Sequence, residues 1–157
     1  MYSQEEIDQL LESALYLLID RDRELLEIDV NERTLSHRLA VYLEDLFLGW
    51  NVDCEYNRLN DRVKRTHYER CQYLAENITT VDDTKGKTVY PDIIVHRRRT
   101  TNNLLVVEMK CSSSSVPDEC DIVKLQSYKT DLGYNFAAFV KLKTDSSINE
   151  PFTIRWI

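Results

Sequence analysis

A chain of 157 residues, 43% apolar and 30% charged, has the size and balance of a globular unit with its own core. Three Gly and three Pro exclude a loop-rich chain, and no apolar run reaches the roughly 20 residues of a membrane span. The net charge of −7 speaks against a surface built to coat nucleic acid. That charge is unevenly spread, because residues 1–50 hold twelve acids against four bases and residues 51–157 hold fifteen against sixteen.

MYSQEEIDQL lacks the basic stretch of a signal peptide, so the expected location is cytoplasmic. Cys54, Cys71, Cys111 and Cys120 form no CxxC pair. They are read as free thiols rather than zinc ligands.

In chain order, Ser3 and Glu6 form a capping box. Ile7, Leu10, Leu11, Ala14, Leu15 and Leu18 then recur at helical spacing to about residue 20. Asn31 is a candidate N-cap for a second helix, NERTLSHRLAVYLEDLF, with Leu35, Leu39, Tyr42, Leu43 and Leu46 as its apolar stripe and Gly49 past its end. Val52, Cys54 and Tyr56 alternate as in a strand. Residues 60–87 read as an insertion between strands. TVYPDIIVHRR and NLLVVEMKC are two strands joined by a short polar turn, apolar on successive residues as in a sheet covered on both faces. Pro117 and Asp118 open a third helix that Gly133 ends. YNFAAFVKL and FTIRWI close the order as strands. The predicted architecture is an α/β sandwich around a mixed sheet, with residues 1–157 as one domain and 1–30 as an N-terminal helical extension.

The apolar hairpin carries carboxylates that burial would penalise unless something pairs them. With the turn centred near Thr100, facing residues have numbers that sum to about 200, so Asp92 faces Glu108. A shift of a residue or two makes the pair diagonal. Lys110 lies two residues on, hence on the same face. Two carboxylates and an ammonium at one place suit a hard divalent cation, Mg²⁺ or Mn²⁺, and metal-assisted hydrolysis of a phosphodiester. Glu32 projects within about 60° of the direction of the second helix's apolar stripe. It therefore points toward the sheet as a candidate third acid, or serves only the helix dipole.

PDII followed by VVEMK resembles the Pro-Asp and Glu-x-Lys signature of the PD-(D/E)XK nuclease superfamily, over roughly residues 31–142. NERTLSHRL is similar to the Glu-bearing first helix of archaeal Holliday junction resolvases. The resemblance implies a restriction-endonuclease-like αβββαβ core. Asp92, Glu108, Glu32 and the Met109 carbonyl would be metal ligands, Lys110 the catalytic lysine and Glu32 an auxiliary acid, with Lys124 near a phosphate. The expected function is a Mg²⁺-dependent nuclease acting on DNA in repair or defence. The alternative is a catalytically silent interaction or nucleic-acid-binding module that keeps the fold, with the acidic N-terminal helices as a homodimer or partner surface. Arg58 and Arg97 are further candidate nucleic-acid contacts. An ion pair of Glu55 with Arg58, and a solvated face for Arg97–Arg99, are the simpler readings. His96 either lines the cleft or serves pairing at its strand's end. A structural ion pair of Lys110 with one carboxylate is the third reading of the cluster. Trp50 and Trp156 read as core and surface rather than a base-stacking platform.

Overall fold

The helices start where side chains take up orphan backbone N–H groups. Ser3 Oγ accepts from Glu6 N, and Glu6 Oε2 accepts from Ser3 N in return, opening helix α1 (Gln4–Arg21). Asn31 Oδ1 accepts from Thr34 N at 2.9 Å and opens α3 (Glu32–Leu46). Between them RELLE forms the short helix α2 (Arg23–Glu27), which the sequence pattern did not separate from its surroundings. Helix α4 (Asp118–Leu132) ends at Gly133, whose φ of +69° is the left-handed conformation that glycine adopts without strain.

In the computed structural model the described residues are 2–56, 90–144 and 150–157, with the backbone of four short strands between 58 and 88. Those strands are β2 (Arg58–Leu59), β3 (Arg62–Val63), β4 (Arg65–Thr66) and β5 (Lys87–Thr88), paired as β2 with β3 and β4 with β5. Most of the predicted insertion, and the side chain of Arg58, lie outside the described residues.

The main sheet has five strands in the order β1 (Asn51–Cys54), β6 (Ile93–His96), β7 (Asn103–Cys111), β8 (Phe136–Leu142) and β9 (Phe152–Trp156). Only β7 and β8 run parallel, joined through α4; the other neighbours are antiparallel, so the sheet is mixed. Every residue of β7 is buried. One face packs Ile93, Val95, Leu105, Val107 and Met109 against the buried stripes of α1 and α3. The opposite face packs Ile94, Val106 and Phe139 against Ile122, Leu125 and Tyr128 of α4. The fold is therefore α/β with helices on both faces, as the continuous apolar strands require. No helix among the described residues is long and apolar enough to cross a membrane.

One reading of the sequence is corrected. Cys54 and Cys111 are free thiols, but Cys120 in the first turn of α4 is disulfide-bonded. Strand β4 packs against α4 and brings a remote part of the chain to this helix, a proximity that cysteine spacing does not encode; Cys71 lies outside the described residues. Glu55 pairs with Arg33, across the α3–β1 junction; the predicted pair of Glu55 with Arg58 lies outside the described residues.

The basic run after β6 is not simply a solvated face. Arg98 forms an ion pair with Asp53 on β1, and the same carboxylate meets His96 Nε2 at 2.8 Å. Burial works against the Asp53 charge, but the His96 and Arg98 hydrogen bonds prevail and hold its carboxyl well below the usual range. A depressed acid contributes stability that is fully present above its unfolded pKa of about 4 and is lost as pH falls from there toward the folded value. Asp53→Asn is expected to lower stability to urea by about 1–3 kcal/mol at pH 7. The gap to wild type should shrink below pH 4, and a gap independent of pH would contradict this account.

Candidate functional site

Hairpin β6–β7 keeps the register expected from its turn. Ile93 faces Val107, Ile94 faces Val106 and Val95 faces Leu105, with a shift only between Val95 and His96. One step beyond Ile93 the same register brings Asp92 opposite Glu108. Strand β6 ends there, and Asp92 turns toward the backbone of β7, where its Oδ2 accepts from Met109 N at 2.8 Å. Two residues further, Cys111 N donates to Glu32 Oε1 at 3.0 Å. Two carboxylates thus take up the N–H groups of β7 where its neighbouring strand has stopped. The N–H and C=O of one strand residue leave on the same side, so the Met109 carbonyl faces the same gap.

Glu108 and Lys110 project from β7 toward α4 and are 2% and 3% exposed. Lys124 Nζ on α4 donates to Glu108 Oε2 at 3.2 Å and to Asp121 Oδ1 at 2.7 Å. Lys110 Nζ forms an ion pair with Asp121 and donates to the Val116 and Pro117 carbonyls at 3.1 Å each. Lys110 therefore shares the face of Glu108, as expected, but its charge is directed at the start of α4. Its carboxylate partners are Asp121 and, at 3.9 Å, Asp118, rather than either acid of the hairpin. The lysine that meets Glu108 is Lys124.

Burial raises the pKa of Asp92 to about 6, aided by Asp121 and Glu32 and opposed by the Met109 N–H and Lys124. Burial, reinforced by the nearby Asp92 charge, raises Glu108 to about 8 in spite of Lys124. Burial also opposes the charge on Lys124, but Glu108 and Asp121 outweigh it and hold this ammonium strongly protonated. Asp92, Glu108 and Asp121 outnumber Lys110 and Lys124. Two oxygens of that set, Glu108 Oε1 and Asp121 Oδ2, are buried with no hydrogen-bond partner, and of these Asp121 Oδ2 still has the Lys110 ion pair. A buried acceptor left over beside an excess of carboxylates fits a cation.

Among the described residues no three His, Cys, Asp or Glu side chains are already gathered as a metal cage. A hard ion that keeps several waters needs only one or two carboxylates. Asp92, Glu108 and the Met109 carbonyl fit that requirement. Glu32 borders the group through the Cys111 N–H and through its electrostatic effect on Asp92.

Asp121 is the member that sequence reasoning missed. Its signal was present: residues 121, 125, 128 and 132 fall on one helical stripe, and all four are buried. His96 is buried at the other end of β6 and pairs with Asp53, so it does not line this group. His37 is exposed on α3. Arg97 lies beyond the far end of β6, over the Trp50 ring.

Acids with raised folded pKa values hold extra protons in the folded state between their ordinary and raised values. Stability then falls as pH rises through that interval. For the metal-free protein, urea titrations from pH 5 to 8 should show falling stability, with a slope on the order of 1 kcal/mol per pH unit. Glu108→Gln should flatten that slope, and an unchanged slope would refute the burial account of Glu108.

No family model, curated protein or solved structure matches the chain, so the reading of this group rests on its own geometry and chemistry.

Proposed function

We propose that the chain is a metal-dependent phosphodiester hydrolase of the PD-(D/E)XK type, with DNA as its substrate. The observation that carries this reading is the buried, partly unpartnered Glu108, set in register beside Asp92 and touched by a lysine. The order of elements supports it as well. A Glu-bearing helix, an antiparallel run of strands, a helix and a parallel strand are what a restriction-endonuclease-like core requires.

Asp92, Glu108 and the Met109 carbonyl would hold a Mg²⁺ or Mn²⁺ ion. Such an ion supplies Lewis-acid polarisation of a phosphate and lowers the pKa of bound water. The residues of the chain do the rest. Asp92 and Glu108 keep their geometry because one is bonded to the β7 backbone and the other to α4. Lys124, a quarter exposed, presents an ammonium beside Glu108 where negative charge develops on a phosphate. Asp121 holds Lys110 and Lys124 at a fixed spacing, as a positioning residue. Glu32 keeps the end of β7 open by bonding Cys111 N in place of a further strand.

One observation favours a second reading, a silent module in which the group is structural. Lys110 already has an Asp121 ion pair and two carbonyl acceptors, enough to satisfy an ammonium without any substrate. The two readings separate cleanly. Calorimetric titration with Mn²⁺ should show binding by wild type and none by Asp92→Ala with Glu108→Ala. Cleavage of single-stranded, duplex, branched and RNA substrates should fall by about 10²–10³-fold in Lys124→Ala. Equal Mn²⁺ binding by wild type and the double variant, with no cleavage of any substrate, would leave the silent module standing.

A further inference from the structure

At the opposite end of hairpin β6–β7 the chain forms a cleft of about 470 Å³. It lies five residues of strand away from Glu108, roughly 17 Å along β7. Tyr2, Trp50, Arg97, Asn102, Asn103 and Asn135 line it, and among the described residues no carboxylate does. These residues come from the starts of α1, β7 and β8, the turn after α3, and the hairpin turn. Only the tertiary fold gathers them.

Three features of the lining each call for a different part of a ligand. The Trp50 ring is half-buried, with the Arg97 guanidinium 5.1 Å from its centroid. An indole face and a guanidinium plane together make a stacking surface for a flat heterocycle. Arg97 also brings a positive charge that, among the described residues, no carboxylate neutralises. Its neighbour Arg98, by contrast, is spent on Asp53. Asn103 is 3% exposed; its Nδ2 donates to the Leu132 carbonyl at 2.7 Å, while its Oδ1 is buried with no partner. With almost no accessible surface, that oxygen is closed to a ligand, and the amides open to the cleft are those of its rim. Asn102 and Asn135 are exposed at the rim and present further amides of both polarities.

We propose that this cleft is a nucleotide site, with the base stacked at Trp50, the phosphate on Arg97, and the polar edge of the base met by the Asn102 and Asn135 carboxamides at the rim. The volume suits one such unit, since small-molecule sites begin near 300 Å³. The site is separate from the carboxylate group, and its occupancy does not require that group to be active. The same chemistry is offered by a free mononucleotide and by one nucleotide of a single strand.

The chain has two tryptophans, so Trp156→Phe leaves Trp50 as the sole indole reporter. Adenosine monophosphate, uridine monophosphate and a five-residue oligothymidylate would each be titrated against that variant, following tryptophan emission. Saturable quenching by a mononucleotide, weakened about tenfold or more by Arg97→Ala, is the expected result. Quenching by the oligonucleotide alone, with the same loss in Arg97→Ala, also supports the site and assigns its source to a strand. If Trp156→Phe fails to fold, the wild type labelled with 5-fluorotryptophan gives the same readout by fluorine NMR. Asp92→Asn with Glu108→Gln should leave the binding curve in place, which separates this site from the metal reading. No saturable change with any of the three probes, or binding undiminished by Arg97→Ala, overturns the proposal.

Discussion

Glu108 stands on the most deeply buried strand of the sheet, where a charge has to be compensated on the spot. Much of the surrounding structure follows from that requirement. Helix α4 lies across β7 with Lys124 against the carboxylate, and Asp121 then balances Lys124 and Lys110 from the same helix. The result is a chain of alternating charges that ties α4 to the face of β7 that its apolar stripe also covers. One oxygen of Glu108 is still left over. An ionic network that stabilises a buried carboxylate only in part is a poor structural device, and a reasonable holder for something with charge of its own.

The second constraint is where β6 stops. After Ile93 the hairpin has no further partner for β7, so the Met109 and Cys111 N–H groups would go unpaired at the centre of the sheet. Asp92 and Glu32 take those two bonds. Their carboxylates therefore stand at the gap between strands, while Glu108 stands on the adjoining face toward α4. The two faces of the sheet each contribute an element: α3 brings Glu32 from one side, and α4 brings Asp121 and Lys124 from the other. The same hairpin makes a quite different surface at its turn. There Asp53 draws Arg98 and His96 toward β1 and leaves Arg97 on Trp50. One two-stranded unit thus separates an acidic end from a basic and aromatic end.

Much of the fold could be read from local patterns. The capping box at Ser3, the Asn31 cap and the glycine after α4 mark helix ends through local backbone chemistry, and each is found where the sequence placed it. The hairpin register was legible for the same reason, because a short turn fixes which residues face each other. The short helix α2 was missed because five residues are too few to show a period. The disulfide at Cys120 was missed because spacing along the chain does not report which thiols meet. Arg97–Arg99 read as one solvated run, yet two of these neighbours have different partners, since successive side chains leave the backbone in different directions.

By itself, then, the sequence determined that Asp92, Glu108 and Lys110 share one hairpin and one face, because strand periodicity and turn length are local properties. It also determined that Glu32 heads a helix directed at the sheet. The tertiary structure alone decided how the charges are paired. Lys110 is drawn to Asp121 and the carbonyls before α4, and Lys124 takes Glu108, because the packing of α4 on β7 sets which ammonium lies within reach of which carboxylate. The constellation that opened as two acids and a lysine is, in three dimensions, an arrangement of four acids and two lysines: Glu32 joins from α3 and Asp121 and Lys124 from α4, and it is the pairing among them that no local pattern announced.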